Sequence, residues 1–236
     1  MLHKNLPAFL HYFITLGVSL PRLMFNVDPK TTNEIDAKIY NDTIMKELYS
    51  YEVITNIHKK GTCFLNNMIE SKIRSKPEVK QLFVKDLNSI LHQLIGDNME
   101  AIYNEDDKHT NGQSKDIEQG KASPSEENET VNTYRDLFIW AILTNNIDMA
   151  KMLISHIPNR ICTALMARKI LKSFHDYYAI YSDRKAECMK SMDYFEDYAI
   201  ECVNLCYKHN PHRACELVLR QCEIFGKITC LQVSRR

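Results

Sequence analysis

The chain of 236 residues carries 30 basic and 30 acidic side chains, with 44% hydrophobic and 25% charged residues. This length suffices for one large helical domain or two small ones, and the balanced charge excludes a long-range field that would draw the whole chain to nucleic acid or to an anionic membrane. Only six Gly and seven Pro residues are present, and this scarcity of chain breakers favours helices.

Apolar runs are short throughout the chain. The purest of them, LFIWAIL at residues 137–143, falls well below the roughly 20 apolar residues that a membrane-spanning helix needs. The first 20 residues have the outline of a signal peptide, but His11, Tyr12 and Thr15 interrupt the apolar stretch and no small-x-small cleavage site is present. We therefore expect no span in this chain and a cytoplasmic location, with secretion as the distant alternative.

Three segments of the N-terminal part, residues 1–103, place apolar side chains at helical spacing. The first covers residues 6–17 and ends at Gly17, which suits the left-handed conformation after a helix. The others cover residues 34–58 and residues 77–103. These patterns predict N-terminal helical hairpins.

The character changes between residues 104 and 133, where Asp, Glu, Ser, Asn and Gly replace almost every apolar residue. Such a segment cannot bury enough surface to offset the entropy lost on ordering. The sequence predicts a disordered acidic and polar loop inserted between two helical regions.

Helical periodicity returns in the C-terminal region, residues 134–236. A helix at 134–143 and a short helix at 147–156 are separated by Asn145 and Asn146, which predicts an antiparallel hairpin. Its second half and the segment LPAFLHYFITLGVSL near the start both read as the outer helix of an ankyrin-like pair, without the turn sequence that sets an ankyrin β-finger. The predicted fold is all-α: an ankyrin-like helical-hairpin solenoid without β-fingers.

The helices that follow are predicted from the same periodicity. Residues 161–181 and 185–209 form two of them, and Asn210 before Pro211 indicates a capped helix start. Gly226 is expected to end that last helix.

No phosphate-binding glycine loop, nucleophile elbow, kinase signature or HExxH occurs. We therefore expect no enzyme activity, no catalytic residue and no cofactor. One set of soft ligands lies close together in sequence and would suit zinc: Cys202, Cys206, His209, His212 and Cys215. The alternative reading is favoured, because no paired C-x2-C spacing is present and Cys202 and Cys206 share an apolar helix face where free cysteine packs as a small hydrophobe.

The order of motifs in the C-terminal hundred residues resembles the melastatin-type transient receptor potential (TRPM) cation channels. The matching segments are LFIWA at 137–141, MAK at 149–151, ALMARKILK at 164–172, LCY at 205–207, and Gly226 followed by ITCLQ at 228–232. Nearer the start, residues 9–20 and MKELY at 45–49 are similar to further family motifs.

The resemblance implies a cytoplasmic N-terminal melastatin homology region of a tetrameric, non-selective and calcium-permeable channel. No pore segment follows Arg236, so the chain is interpreted as a fragment, a short isoform or an incomplete gene model. Its partners would be other channel subunits, its role assembly and the transmission of gating, and its sites structural. The predicted core residues are Trp140, Ala141, Leu171, Phe195, Cys206 and Leu231. A freestanding cytosolic helical adaptor that binds protein partners is the alternative function.

Overall fold

The computed structural model describes residues 7–18, 20, 37–50, 53, 83–103, 126–178 and 182–235. Within these residues nine α-helices have defined bounds, and no β-strand is formed. An isolated antiparallel bridge joins Cys222 and Ile228. The all-α class predicted from the sequence is therefore confirmed for the described residues.

The N-terminal part contributes three helices: α1 (Pro7–Thr15), α2 (Ala37–Tyr49) and α3 (Val84–Ile95). Helix α1 ends as predicted, because Gly17 follows it with a φ of 75°. Helix α3 is shorter than the predicted segment 77–103, since it stops at Ile95 and residues 97–103 continue without helical structure.

The C-terminal part contributes six helices, which are α4 (Glu126–Leu143), α5 (Ile147–Leu153), α6 (Arg160–Ser173), α7 (Ser182–His209), α8 (Pro211–Leu219) and α9 (Cys230–Ser234). Short 3-10 turns follow α5 at Ile154–His156 and precede α9 at Glu223–Phe225. A π-helical turn, Phe174–Tyr178, continues α6.

Local sequence explains two of these helix boundaries. Asn145, with a φ of 57°, turns the chain between α4 and α5, and the two helices then pack against each other as the predicted hairpin. Asn210 caps α8, because its side-chain Oδ1 accepts a hydrogen bond from the Arg213 backbone N–H at 3.0 Å and Pro211 occupies the first helical position.

Two predicted boundaries are wrong. The polar loop was expected to reach residue 133, but residues 126–133 form the first turns of α4 and Thr133 is fully buried there. Residues 104–125 of that loop lie outside the described residues. Gly226 does not end the helix that begins at Pro211, because α8 already ends at Leu219 and Gly226 closes the following 3-10 turn.

The core is centred on α4. All seven residues from 137 to 143 are buried, so this part of α4 is covered on every side, as expected of a helix that is apolar all round. Helices α3, α5, α6 and α7 contribute buried side chains to the same cluster. None of the described helices combines the length and apolar character needed to cross a bilayer.

Candidate functional site

Trp140 ties the N-terminal helices to the centre of the core. Its indole Nε1–H donates a hydrogen bond of 2.9 Å to the backbone carbonyl of Leu48, the penultimate residue of α2. Both residues are buried, and a buried indole N–H requires such an acceptor. Ala141, Leu171 and Phe195 are buried in the same cluster, and the Phe195 ring meets Phe138 edge to face at 6.2 Å.

Two of the predicted core residues lie elsewhere. The prediction for Leu231 is wrong, because its side chain is 48% exposed. Leu231 lies in the five-residue helix α9, whose buried residues are Cys230 and Val233. Cys206 is half-buried on α7 and lines a cavity instead of the central core.

A buried acidic junction lies at the start of the buried part of α4. Asp136 has no exposed surface, and its Oδ1 accepts hydrogen bonds from the Tyr103 hydroxyl at 2.9 Å and from Arg135 Nε at 2.7 Å. Burial, followed by the negative charge of Asp136, raises the pKa of Tyr103 well above its ordinary value. Because a buried carboxylate needs a charged or hydrogen-bonded partner, Asp136 holds Tyr103 and Arg135 in place.

The same junction extends to two distant segments. The Arg135 guanidinium donates to the Ile224 carbonyl at 3.2 Å, which attaches the 3-10 turn near the end of the chain. On the other side, the Asn88 amide clamps Tyr103, because Nδ2 donates to the Tyr103 carbonyl at 2.6 Å and Oδ1 accepts from the Tyr103 N–H at 3.2 Å. Helices α3 and α4 and the C-terminal segment are thus linked through buried polar groups.

A second contact fastens the turn at Gly226. The Glu100 backbone N–H donates to the Gly226 carbonyl at 2.9 Å, and Lys227 Nζ lies 2.9 Å from Glu100 Oε2. Thr229 and Gln232 then form a reciprocal capping box at the start of α9. The segment Gly226–Gln232 therefore holds a close backbone contact with Glu100 at its first residue and begins helix α9 at Cys230.

His156 packs at the end of α5. Its ring stacks on Tyr134 with centroids 5.1 Å apart and an interplanar angle of 16°. Burial lowers the pKa of His156, and the neighbouring His11 and Arg160 lower it further. The neutral imidazole is therefore the form that suits this contact.

The five residues of the zinc hypothesis do not share one environment. Cys202 and Cys206 are half-buried one turn apart on α7, whereas His209, His212 and Cys215 are exposed. Within the described part of the chain, no three His, Cys, Asp or Glu side chains are arranged to hold a metal ion.

The structure brings together cysteines that sequence spacing did not connect. Cys162 in the first turn of α6 lies next to Cys222 and Cys230, and all three are buried. They are separated by up to 68 residues along the chain (230 − 162), so the spacing of neighbouring cysteines gave no signal for this cluster.

These observations define an all-α scaffold whose helices are joined by a buried tryptophan, a buried acidic junction and a fastened C-terminal turn. Comparison with known proteins gives its family. The whole chain, residues 1–236, matches the family model of the TRPM2-like domain. The chain therefore belongs to the TRPM2-like domain family, which confirms the resemblance to TRPM channels seen in its motifs.

Individual relatives agree with this assignment. The rat transient receptor potential cation channel subfamily M member 2 is 34% identical over 105 residues, which are 44% of this chain and 7% of the rat protein. Human member 5 is 30% identical over 105 residues, 44% of this chain and 9% of that protein. A member-like 2 protein of Nematostella vectensis is 21% identical over 213 residues, 83% of this chain and 14% of that protein. The chain thus corresponds to a small part of each relative.

Proposed function

We propose that this chain is a cytoplasmic helical region of a TRPM-like cation-channel subunit, in which it contributes to subunit assembly and transmits gating movements to the pore. Membership of the TRPM2-like domain family supports the channel assignment. A non-selective, calcium-permeable pore and a homotetrameric assembly belong to the same proposal. In this role the chain acts as a scaffold and catalyses no reaction, so the residues that matter are those that hold the fold together.

The observation that carries the mechanical role is the linkage of distant segments through buried polar groups. Arg135 and Asp136 connect the loop residue Tyr103 with the turn at Ile224. Such buried networks hold their members in one arrangement, because breaking any contact leaves a polar group unpaired. A displacement applied to one segment is therefore passed to the others. This is the property that a relay between a ligand-binding region and a pore needs.

Helix pairing supports the solenoid part of the proposal. Helices α4 and α5 form one hairpin, and α6 and α7 pack along each other as the next pair. Each pair lies beside its neighbour in chain order, since α6 also contacts α4. This is the arrangement of helical repeats, in which each unit buries its apolar face against the adjacent one.

A stripe on α7 supports contact with neighbouring subunits. Met189, Ile200 and Tyr207 are all exposed. Met189 and Ile200 are about three helical turns apart, and Ile200 and Tyr207 about two, so the three side chains lie along one line of the helix. Scattered exposed apolar side chains are ordinary on a protein surface, and Asp193 and Glu196 lie between Met189 and Ile200 on the same side of α7, so it is the alignment of the three apolar side chains that supports a contact here. We assign this stripe to packing against another subunit.

The first test is to sequence the transcript across and beyond the codon for Arg236. Continuation into six hydrophobic segments is the result expected for a channel subunit. A stop codon directly after Arg236 would refute the channel assignment for this product and favour the freestanding adaptor.

The stripe is tested by charge insertion in the resulting full-length protein. Ile200→Glu should reduce the tetramer fraction in native electrophoresis and the cation current, because it places a carboxylate in an apolar contact. Leu205→Glu is the matched control, since Leu205 is 51% exposed against 52% for Ile200 but lies on the other flank of α7. Equal effects of the two substitutions, or none, would contradict the assignment.

A further inference from the structure

Five of the eight cysteines line one cavity of about 180 Å³, beside α6, α7, α8 and α9. They are Cys162, Cys202, Cys206, Cys222 and Cys230. A buried free cysteine usually packs as a small hydrophobe. The convergence of five cysteines on one cavity points to thiol chemistry.

Three of these cysteines lie close together in the lining of the cavity. Cys162 adjoins both Cys222 and Cys230, and each of the three is free. The backbone fixes their positions, because the Cys222 N–H donates to the Ile228 carbonyl at 2.9 Å and Cys230 Sγ lies 3.8 Å from the Leu217 carbonyl oxygen. Cysteines that line one cavity side by side are candidates for a disulfide, which requires their Cα atoms to lie within about 7 Å of each other.

The two members of the pair Cys162 and Cys222 have different properties. Donation to Cys222 and to Cys230, together with burial, raises the pKa of Cys162, which keeps it a thiol. The hydrogen bond from Cys162 lowers the pKa of Cys222 despite its burial, and the Phe225 backbone N–H and the Arg220 guanidinium act in the same direction. The pKa of Cys230 is lowered by Cys162 in the same way, but only Cys222 also has Arg220 among the groups that lower its pKa. Cys222 is therefore assigned as the nucleophile, since the thiolate is the attacking form.

The cavity also carries positive charge on its solvent side. Arg160 and Arg220 are exposed and both line it. Arg160 Nη2 donates to the Ser155 carbonyl at 2.9 Å, and Arg220 Nη2 donates to Asn159 Oδ1 at 3.2 Å, so both guanidinium groups are anchored. Guanidinium groups bind carboxylates, which favours a reagent that carries carboxylates next to its reactive sulfur.

We propose that this cavity is a thiol–disulfide exchange site, in which a low-molecular-weight disulfide bearing carboxylates, such as oxidised glutathione, oxidises the pair Cys162 and Cys222. This inference does not depend on the proposed assembly role.

The reaction is balanced in two exchange steps. The Cys222 thiolate attacks one sulfur of oxidised glutathione, a mixed disulfide forms on Cys222 and one glutathione thiolate leaves. The Cys162 thiol then loses its proton to that thiolate and attacks the Cys222 sulfur. A Cys162–Cys222 disulfide forms and a second glutathione leaves, so two protein thiols are oxidised and one glutathione disulfide is reduced.

Formation of this bond would fasten the first turn of α6 to the segment before the Glu223–Phe225 turn. The two cysteines lie 60 positions apart in sequence (222 − 162). A cross-link of that span restricts the unfolded chain and should raise the thermal midpoint of the oxidised protein above that of the reduced one.

The test uses the purified, fully reduced 236-residue chain, incubated with oxidised glutathione, quenched with acid and alkylated. Peptide mass spectrometry should find Cys162 joined to Cys222, and reduction with dithiothreitol should restore both thiols. Cys162→Ser should stop the reaction at glutathione on Cys222. Cys215→Ser, which removes an exposed cysteine outside the cavity, should leave the cross-link unchanged.

Arg220→Gln keeps every thiol and serves as the variant that does not disturb the buried cluster. It should slow formation of the cross-link roughly threefold, because the thiolate fraction of Cys222 falls and the carboxylate attraction weakens. Circular dichroism verifies that each variant is folded.

Three results would overturn the proposal: glutathione on Cys215 alone, a Cys162–Cys230 cross-link in place of Cys162–Cys222, or the same cross-link pattern in native and urea-unfolded protein. An unchanged rate in Arg220→Gln would refute the part assigned to the guanidinium groups.

Discussion

Substitution of Gly226 by alanine should destabilise the chain strongly, because two separate costs meet at this residue. Gly226 has a φ of 65°, in the left-handed region. A Cβ atom built there would overlap the Glu100 carbonyl oxygen and lie 2.9 Å from Met99 Cγ. The Met99 side chain can shift, but the Glu100 oxygen belongs to the backbone.

The magnitude follows from these contacts. The left-handed conformation costs an alanine about 1–2 kcal/mol. Moving the Glu100 backbone away also breaks the hydrogen bond from its N–H to the Gly226 carbonyl, which adds about 0.5–1.5 kcal/mol. The expected loss in the free energy of unfolding is about 1.5–3.5 kcal/mol. For a chain of this size that corresponds to a fall of about 3–14 °C in the thermal midpoint.

Gly17→Ala is the matched control. Gly17 also has a positive φ, of 75°, but no heavy atom of the described residues lies within 4 Å of a Cβ built on it. It should therefore show only the conformational cost of about 1–2 kcal/mol. Urea unfolding followed by circular dichroism measures both variants. Equal losses in the two variants would refute the argument that the close approach of Glu100 constrains Gly226.

Three further predictions concern the free energy of unfolding and are checked by urea titration. Trp140→Phe should cost about 2–4 kcal/mol, because it leaves the buried Leu48 carbonyl without its donor and reduces the core volume; a cost under about 0.5 kcal/mol would contradict this. Asn210→Ala should cost about 0.5–2 kcal/mol, since the Arg213 N–H loses its cap, and Asn210→Asp should retain most of the stability. Burial lowers the pKa of His156, so the unfolded state binds its proton more readily and stability should fall as the pH drops below the ordinary value of 6.5; an equal pH dependence in His156→Phe would refute this assignment.

Much of the helical organisation is predictable because it is encoded locally. The cap at Asn210 and the break at Asn145 each depend on residues within one turn. The burial of Trp140 follows from the continuous apolar run around it, since a helix that is apolar on every side has to be covered on every side.

The predictions are wrong where contacts between residues far apart in sequence determine a helix boundary or the burial of a side chain. Residues 126–133 contain little apolar surface, yet they continue the buried helix α4, and Thr133 is covered by the rest of the fold. Leu231 belongs to a helix too short for periodicity to indicate which side faces the core. Tertiary context thus overrides a composition-based prediction in one place and a residue-type prediction in the other.

The same limit applies to the cysteines. The zinc hypothesis included Cys202, Cys206 and Cys215 because they are close in sequence. Short spacing along a helix predicts only which neighbouring side chains share a face. Cys162 lies next to Cys222 and Cys230 because α6 packs beside α9, and the bridge between Cys222 and Ile228 leads directly into α9. A single sequence contains no periodic signal for a contact of that kind.

The C-terminal segment that carries the family motif is held from two sides, and this has a mechanical consequence. On one side, Arg135 binds the Ile224 carbonyl and Glu100 binds the Gly226 carbonyl. On the other side, Cys222 and Cys230 contact Cys162 on α6. The two attachments lie on different elements. Once the contact between Arg135 of α4 and Ile224 is released, the segment can move relative to α4 only if α6 moves with it or if Cys222 and Cys230 separate from Cys162. A disulfide between Cys162 and Cys222 would remove the second option, so oxidation should stiffen the connection between the core helix and the end of the chain.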